Sequence, residues 1–208
     1  MRDGTVSDEF SGRGLREVLS ILIAEDEPLT RLDTREILEA AGHIVCGESN
    51  NGLKAVELAK QLSPDLAILD IKMPGLDGIE AAKALNDLNV PVLLLTAYSQ
   101  PAFIKRAEKV NVYGYLVKPI TERDLLPAVQ IAYARWKAMQ DVRSELERTQ
   151  TQLKNQKIIA KAKALLAADK HISDYEAHQL LIRRSMDERI PLAELAKKII
   201  AASSNQAV

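Results

Sequence analysis

The chain predicts an α/β fold: a doubly wound, five-stranded parallel sheet, then a long helix and a small all-α module of three helices. Two observations carry this. Five short apolar runs, at 20–24, 43–48, 65–69, 90–95 and 113–117, alternate with helical patterns, as in parallel sheets buried on both faces. From Thr121 to Ala168 no Gly interrupts the helical pattern, and two further capped segments follow. The helices of the first part start at Pro28, near Asn51, Asp77 and Pro101, and at Thr121. The first runs to Ala41, with Pro at its head and Gly42 just past its end, the usual asymmetry of helix ends. Pro127 falls two turns into the long helix, where a kink is expected.

Composition narrows the function classes. Of 208 residues, 47% are hydrophobic, enough for a core, while aromatics at 4% argue against a sheet that stacks bases. The single Cys46 cannot form an intramolecular disulfide. No apolar stretch reaches the roughly 20 residues needed to span a bilayer, and no signal-peptide core opens the chain. A soluble cytoplasmic protein is therefore expected. Residues 141–208 carry 12 Lys+Arg against 9 Asp+Glu, and residues 1–140 carry 16 against 20. Different partners for the two parts are expected from that asymmetry.

The expected organisation is a disordered tail at 1–18, an α/β domain at 19–135, a helical linker at 136–154, a helical output domain at 155–202 and a tail at 203–208. Met139, Val142, Leu146, Thr149 and Leu153 recur at spacings of three and four. That pattern fits either a two-stranded coiled coil or an amphipathic helix packed on its own domain. Ser173-Asp174-Tyr175-Glu176 matches a capping box opening a helix to about Met186, and Pro191 opens another through Ala201.

Chemistry concentrates at strand ends. Glu25 and Asp26 follow the first run, Asp70 ends the third, Thr96 follows the fourth and Lys118 follows the fifth. Ligands of open parallel sheets bind outside those carboxyl ends. Acids, a hydroxyl and an ammonium gathered there outline a site for a divalent cation and a phosphoryl group. Each residue alone has an ordinary role as a cap or a bend; all five meeting at one edge by chance is far less plausible.

Residues 20–135 resemble the receiver domain of two-component response regulators, a flavodoxin-like fold. The resemblance rests on Glu25-Asp26, Leu69-Asp70-Ile71-Lys72-Met73-Pro74-Gly75, Thr96-Ala97 and Tyr115-Leu116-Val117-Lys118-Pro119. It implies that Asp70 accepts a phosphoryl group from a sensor histidine kinase, assisted by Lys118 and Thr96. It further implies Mg²⁺ held by Asp26, Asp70 and the Lys72 backbone carbonyl, with Glu25 in outer-sphere contact, and Lys118 paired with Asp70 at rest. Thr96 and Tyr115 would form the switch. Glu25 stands where Asp is commoner.

Residues 155–202 resemble the ANTAR module, the RNA-binding output of antitermination regulators. The resemblance rests on Ile159, Ala162-Lys163-Ala164-Leu165-Leu166, Glu176-Ala177, Leu181, Arg183-Arg184, Met186, Leu192 and Leu195-Ala196. Ala164, His178, Ile182 and Ser185 depart from the family pattern, Ile182 replacing a usual Arg. The resemblance implies binding to tandem RNA stem-loops, and the residues expected at that surface are Lys157, Lys161, Lys163, His178, Arg183 and Arg184. The linker stripe adds a homodimer as an expected partner. A tail that docks on protein, or on DNA, is the alternative output. No catalysis beyond the receiver's own phosphorylation and dephosphorylation is expected.

Overall fold

The computed structural model describes residues 17–97, 106 and 110–205. Contacts divide the chain into two compact units between Ala138 and Met139.

In the first unit the strands are β1 (Ser20–Ala24), β2 (Ile44–Ser49), β3 (Leu66–Asp70), β4 (Val92–Thr96) and β5 (Gly114–Val117). All pair in parallel, in the order β2-β1-β3-β4-β5. Helices α1 (Pro28–Ala40), α2 (Gly52–Leu62) and α3 (Gly78–Asp87) follow the first three strands. The helix expected from Pro101 lies outside the described residues except for Arg106, as do residues 1–16 of the expected tail. Glu17, within that tail, pairs with Lys137 at 3.2 Å.

Alternation along the strands builds two cores. Leu22, Leu69 and Leu94 face Ala55 and Ala59 of α2 and Ile79, Ala82 and Leu85 of α3. Ile21, Ile23, Ile68, Leu93 and Leu95 face Leu38 of α1 and Leu125, Val129 and Ala132 of the helix that follows β5. Side chains of consecutive strand residues point to opposite faces, so a strand of Ile and Leu alone feeds both. Complete burial of each such side chain contributes about 1.5–3 kcal/mol, which locks the register and hence the strand ends.

Capping fixes where the helices start. Asn51 Oδ1 accepts the Lys54 N–H (2.9 Å) at the head of α2. Asp77 Oδ1 accepts the N–H groups of Ile79 (3.0 Å) and Glu80 (2.9 Å) at the head of α3. Both satisfy donors that the first helical turn leaves unpaired.

Helix α4 runs from Glu122 to Lys170 with Pro127 inside it, and it spans the division between the units. In the second unit, α5 (Asp174–Glu188) opens with the expected capping box: Ser173 Oγ accepts the Glu176 N–H (3.2 Å) and Glu176 Oε2 accepts the Ser173 N–H (2.8 Å). Helix α6 (Leu192–Asn205) extends past residue 202, so the expected C-terminal tail begins as helix. The core here is aliphatic and built from Ala162, Leu166, Ala177, Leu181, Leu195 and Ala196. Met139, Val142, Leu146 and Leu153 of the heptad stripe are 52–63% exposed.

Candidate phosphoryl site

The strand order reverses between β1 and β3, because β2 lies on one side of β1 and β3 on the other. Ligands of such sheets bind at that reversal. Glu25 and Asp26 leave the end of β1 there, and Asp70 ends β3. Oxygen atoms of the three carboxylates lie within 4.8 Å of one another. Glu25 and Asp70 are buried and Asp26 is exposed.

Lys118 enters from the end of β5. Its N–H donates to the Thr96 carbonyl (2.8 Å), and the Lys118–Pro119 peptide is cis. The ammonium lies 3.2 Å from Asp70 Oδ1, the expected pairing, and 2.5 Å from Glu25 Oε2, a partner that sequence reasoning missed. The longer Glu arm reaches the ammonium. Glu25 Oε1 also accepts the Glu27 N–H (3.2 Å), and its carbonyl accepts Arg31 Nη1–H (2.6 Å).

Burial sets the electrostatics. It pushes the Glu25 carboxyl up, against the pull of Lys118, and Asp70 adds to the rise. It pushes Asp70 up too, with Lys118 opposing and Asp26 reinforcing. Burial alone would lower the Lys118 ammonium; Glu25 and Asp70 overcome this and raise it. Glu25 and Asp70, two buried carboxylates, share the single Lys118 ammonium, so this trio is short of positive charge.

This is the donor set that Mg²⁺ favours: hard carboxylate oxygens, one of them open to solvent. The Glu25 Oε2 atom is sealed from water and makes no hydrogen bond of good geometry, although the Lys118 ammonium lies beside it. One oxygen from each of Glu25, Asp26 and Asp70 is close enough to the others for the three to meet on one such cation.

Backbone contacts place Asp70. The Ile71 N–H donates to the Leu95 carbonyl, and the Gly78 N–H to the Ile71 carbonyl, each at 3.0 Å. A Cβ on Gly78 would collide with the Asp70 carbonyl oxygen, so only glycine lets α3 approach this closely. Asp77, beside it, accepts from Arg106 Nη2 at 2.6 Å. Neither Gly78 nor the Asp77–Arg106 pair figures among the expected site residues. The Asp77-Gly78 dipeptide itself was the available signal.

Thr96 is buried at the end of β4, in register with Val117. Tyr115 pairs with Leu94 two residues back on the same strands and is 56% exposed. Lys72 lies in the turn after β3 with its side chain exposed. Of the residues expected at an RNA surface, Lys157 and Lys161 are exposed on α4 one turn apart, Arg183 and Arg184 are exposed on α5, and His178 is half-buried. Lys163 is engaged by Asp174 at 2.6 Å.

A parallel sheet in the order 2-1-3-4-5 with three acids and a lysine at its switch point defines a receiver-type phosphoryl domain. The response regulator receiver model matches residues 21–130 and the ANTAR domain model residues 147–200. The chain belongs to the response regulators, with a receiver domain followed by an ANTAR domain. It is 36% identical over 181 residues to the transcriptional regulatory protein PdtaR of Mycobacterium tuberculosis, covering 86% of this chain and 88% of that one. The receiver part is similar to the probable transcriptional regulatory protein NarL of the same species, at 35% identity over 54% of each chain. Among solved structures, the receiver domain of a modulated diguanylate cyclase from Desulfovibrio desulfuricans aligns with TM-score 0.56 and 35% identity, over 59% of this chain and 99% of that one.

Proposed function

We propose that Asp70 accepts a phosphoryl group from a sensor histidine kinase and that the ANTAR domain answers by binding RNA. The carrying observation is the convergence of Glu25, Asp26 and Asp70, with Lys118 3.2 Å from the Asp70 carboxylate. An Asp70 oxygen attacks phosphorus in line, the phosphorus–nitrogen bond to the kinase histidine breaks, and the imidazole leaves. Lys118 exchanges its carboxylate partner for a phosphoryl oxygen. Asp26, Asp70 and the Lys72 carbonyl, with Glu25 in outer-sphere contact, would hold Mg²⁺, which would supply charge neutralisation of the phosphoryl oxygens. The chain itself is a switch and catalyses only its own phosphorylation and dephosphorylation.

Phosphorylation adds about −1.5 to −2 charges and new acceptor oxygens. Thr96, buried at the end of β4, donates its hydroxyl to one of them, and Tyr115, exposed on β5, moves toward the space it leaves. The output is transcription antitermination: the ANTAR domain holds tandem stem-loops of a nascent transcript and prevents a terminator from forming. Lys157, Lys161, Lys163, Arg183 and Arg184 supply the phosphate contacts, and His178 stands beside them. The exposed stripe of Met139, Val142, Leu146 and Leu153 supports self-association through α4. A kinase and a nascent transcript as partners place this action in the cytoplasm. No described helix is long and apolar enough to cross a membrane.

Gel retardation tests the reading. The full chain, with and without acetyl phosphate and Mg²⁺, is offered hairpin RNA or duplex DNA. Retardation of hairpin RNA that strengthens on phosphorylation and weakens steeply with salt is expected. Retardation of duplex DNA alone, or of neither, contradicts it.

A further inference from the structure

From Met139 to the C-terminus the chain has one aromatic residue, Tyr175. It stays out of the aliphatic core and is 72% exposed. An aromatic side chain has about 150–250 Å² of surface to bury, so leaving it in water forgoes folding free energy. Tyr175 sits in the first turn of α5. At 3.6 residues per turn, Tyr175, Gln179, Ile182 and Met186 fall within about 40° of one line, roughly opposite Ala177 and Leu181 in the core. Met186 is 73% exposed. The stripe is about 16 Å long at 1.5 Å per residue. Arg183 borders one side and His178 the other. At the Tyr175 end, the Lys163 ammonium is held 2.6 Å from Asp174.

We infer that this stripe of α5 is the surface on which unpaired loop bases of RNA are read. Tyr175 is the stacking platform, Ile182 and Met186 are apolar contacts, and Lys163 and Arg183 hold the adjoining phosphates. The inference rests on the RNA-binding reading above and names its base-contacting residues. A narrow line of Tyr175, Ile182 and Met186, broken by the amide of Gln179 and bordered by Arg183, matches the surfaces that bind single-stranded nucleic acid, where any base offers a π-face. RNA presents such bases in loops, splayed from the helix. The excess of basic over acidic residues from 141 onward suits a polyanion. Ile182 thereby gains a role. Its side chain continues the stripe between Tyr175 and Met186, so this surface reads base faces where an Arg would read phosphate.

The experiment uses the full-length chain phosphorylated with acetyl phosphate. A hairpin is selected from a pool with randomised loops, then remade with 2-aminopurine at one loop purine. Binding is expected to quench 2-aminopurine fluorescence. Tyr175→Leu is expected to weaken binding by about 5- to 100-fold and to remove the quenching, with Tyr175→Trp keeping both. Leucine at this exposed position leaves the helical circular dichroism unchanged, which separates lost stacking from lost fold. Hairpin binding by Tyr175→Leu equal to wild type overturns this inference alone. Equal binding to a fully paired duplex of the same composition also overturns it, because no loop base is then read. Failure of the wild-type chain to capture any hairpin overturns the RNA-binding reading, and this inference with it.

Discussion

Lys118 lies nearer to Glu25 than to Asp70: its ammonium is 2.5 Å from Glu25 Oε2 and 3.2 Å from Asp70 Oδ1. Glu25 is fully buried and Lys118 keeps 16% of its side chain accessible. Removing one partner of a buried pair leaves the other charge uncompensated. Lys118→Met should destabilise the metal-free protein by roughly 2–3 kcal/mol, below the range for fully sealed pairs because of that access. Urea unfolding measures it, and an unchanged midpoint would contradict the pairing.

The same shortage of positive charge makes a prediction about Asp70. Its carboxyl, like that of Glu25, is raised in the folded state, chiefly by burial. A raised group gives its stabilisation below the unfolded value and loses it as pH rises through the folded one. Ionising these carboxylates therefore costs stability in the folded state. Asp70→Asn should stabilise the metal-free protein on the order of 1 kcal/mol at pH 7, less in acid and less with saturating Mg²⁺. A melting series across pH, with and without Mg²⁺, tests all three arms. Destabilisation by Asp70→Asn at pH 7 would contradict the charge balance.

Gly78 is where packing reaches the chemistry. A methyl group there meets the Asp70 carbonyl, so Gly78→Ala must shift α3 or the end of β3. A cost of about 1–3 kcal/mol is expected from overpacking. Acetyl phosphate should label the folded variant more slowly than wild type, because Asp70 is displaced. Normal labelling with normal stability would show that the turn yields freely.

Asp77 supplies a pH test away from the acidic cluster. Burial raises its carboxyl, but the Glu80 N–H, the Arg106 guanidinium and the Ile79 N–H together outweigh burial and hold it below the usual range. The stabilisation is present above the unfolded value and lost as pH falls through the folded one. Asp77→Ala should cost about 1 kcal/mol at pH 7 as a lost helix cap. The difference from wild type should narrow in acid. A difference that stays constant with pH would argue against the ion pair.

The five strands and the capped helices were legible because short apolar runs bounded by Asn51, Asp77 and Gly42 leave few other solutions. Glu25, Asp26, Asp70 and Lys118 were legible as a cluster because parallel strands end on one edge of a sheet. That Glu25 takes the nearer contact to Lys118 was not, since arm length acts only once β1 and β5 are placed. Gly78 was hidden for the same reason: its neighbour is the backbone of Asp70, eight residues earlier. Exposure of Met139, Val142, Leu146 and Leu153 was also beyond the sequence, because their spacing suits a buried face and an intermolecular one equally well.

Every later step of the proposed switch depends on phosphoryl transfer to Asp70. Intact-mass measurement after incubation with acetyl phosphate and Mg²⁺ counts the phosphoryl groups transferred. The wild-type chain should gain one phosphoryl group, Asp70→Asn none, and wild type none when the metal is chelated. Stoichiometric labelling of Asp70→Asn, equal to wild type, would contradict transfer to Asp70.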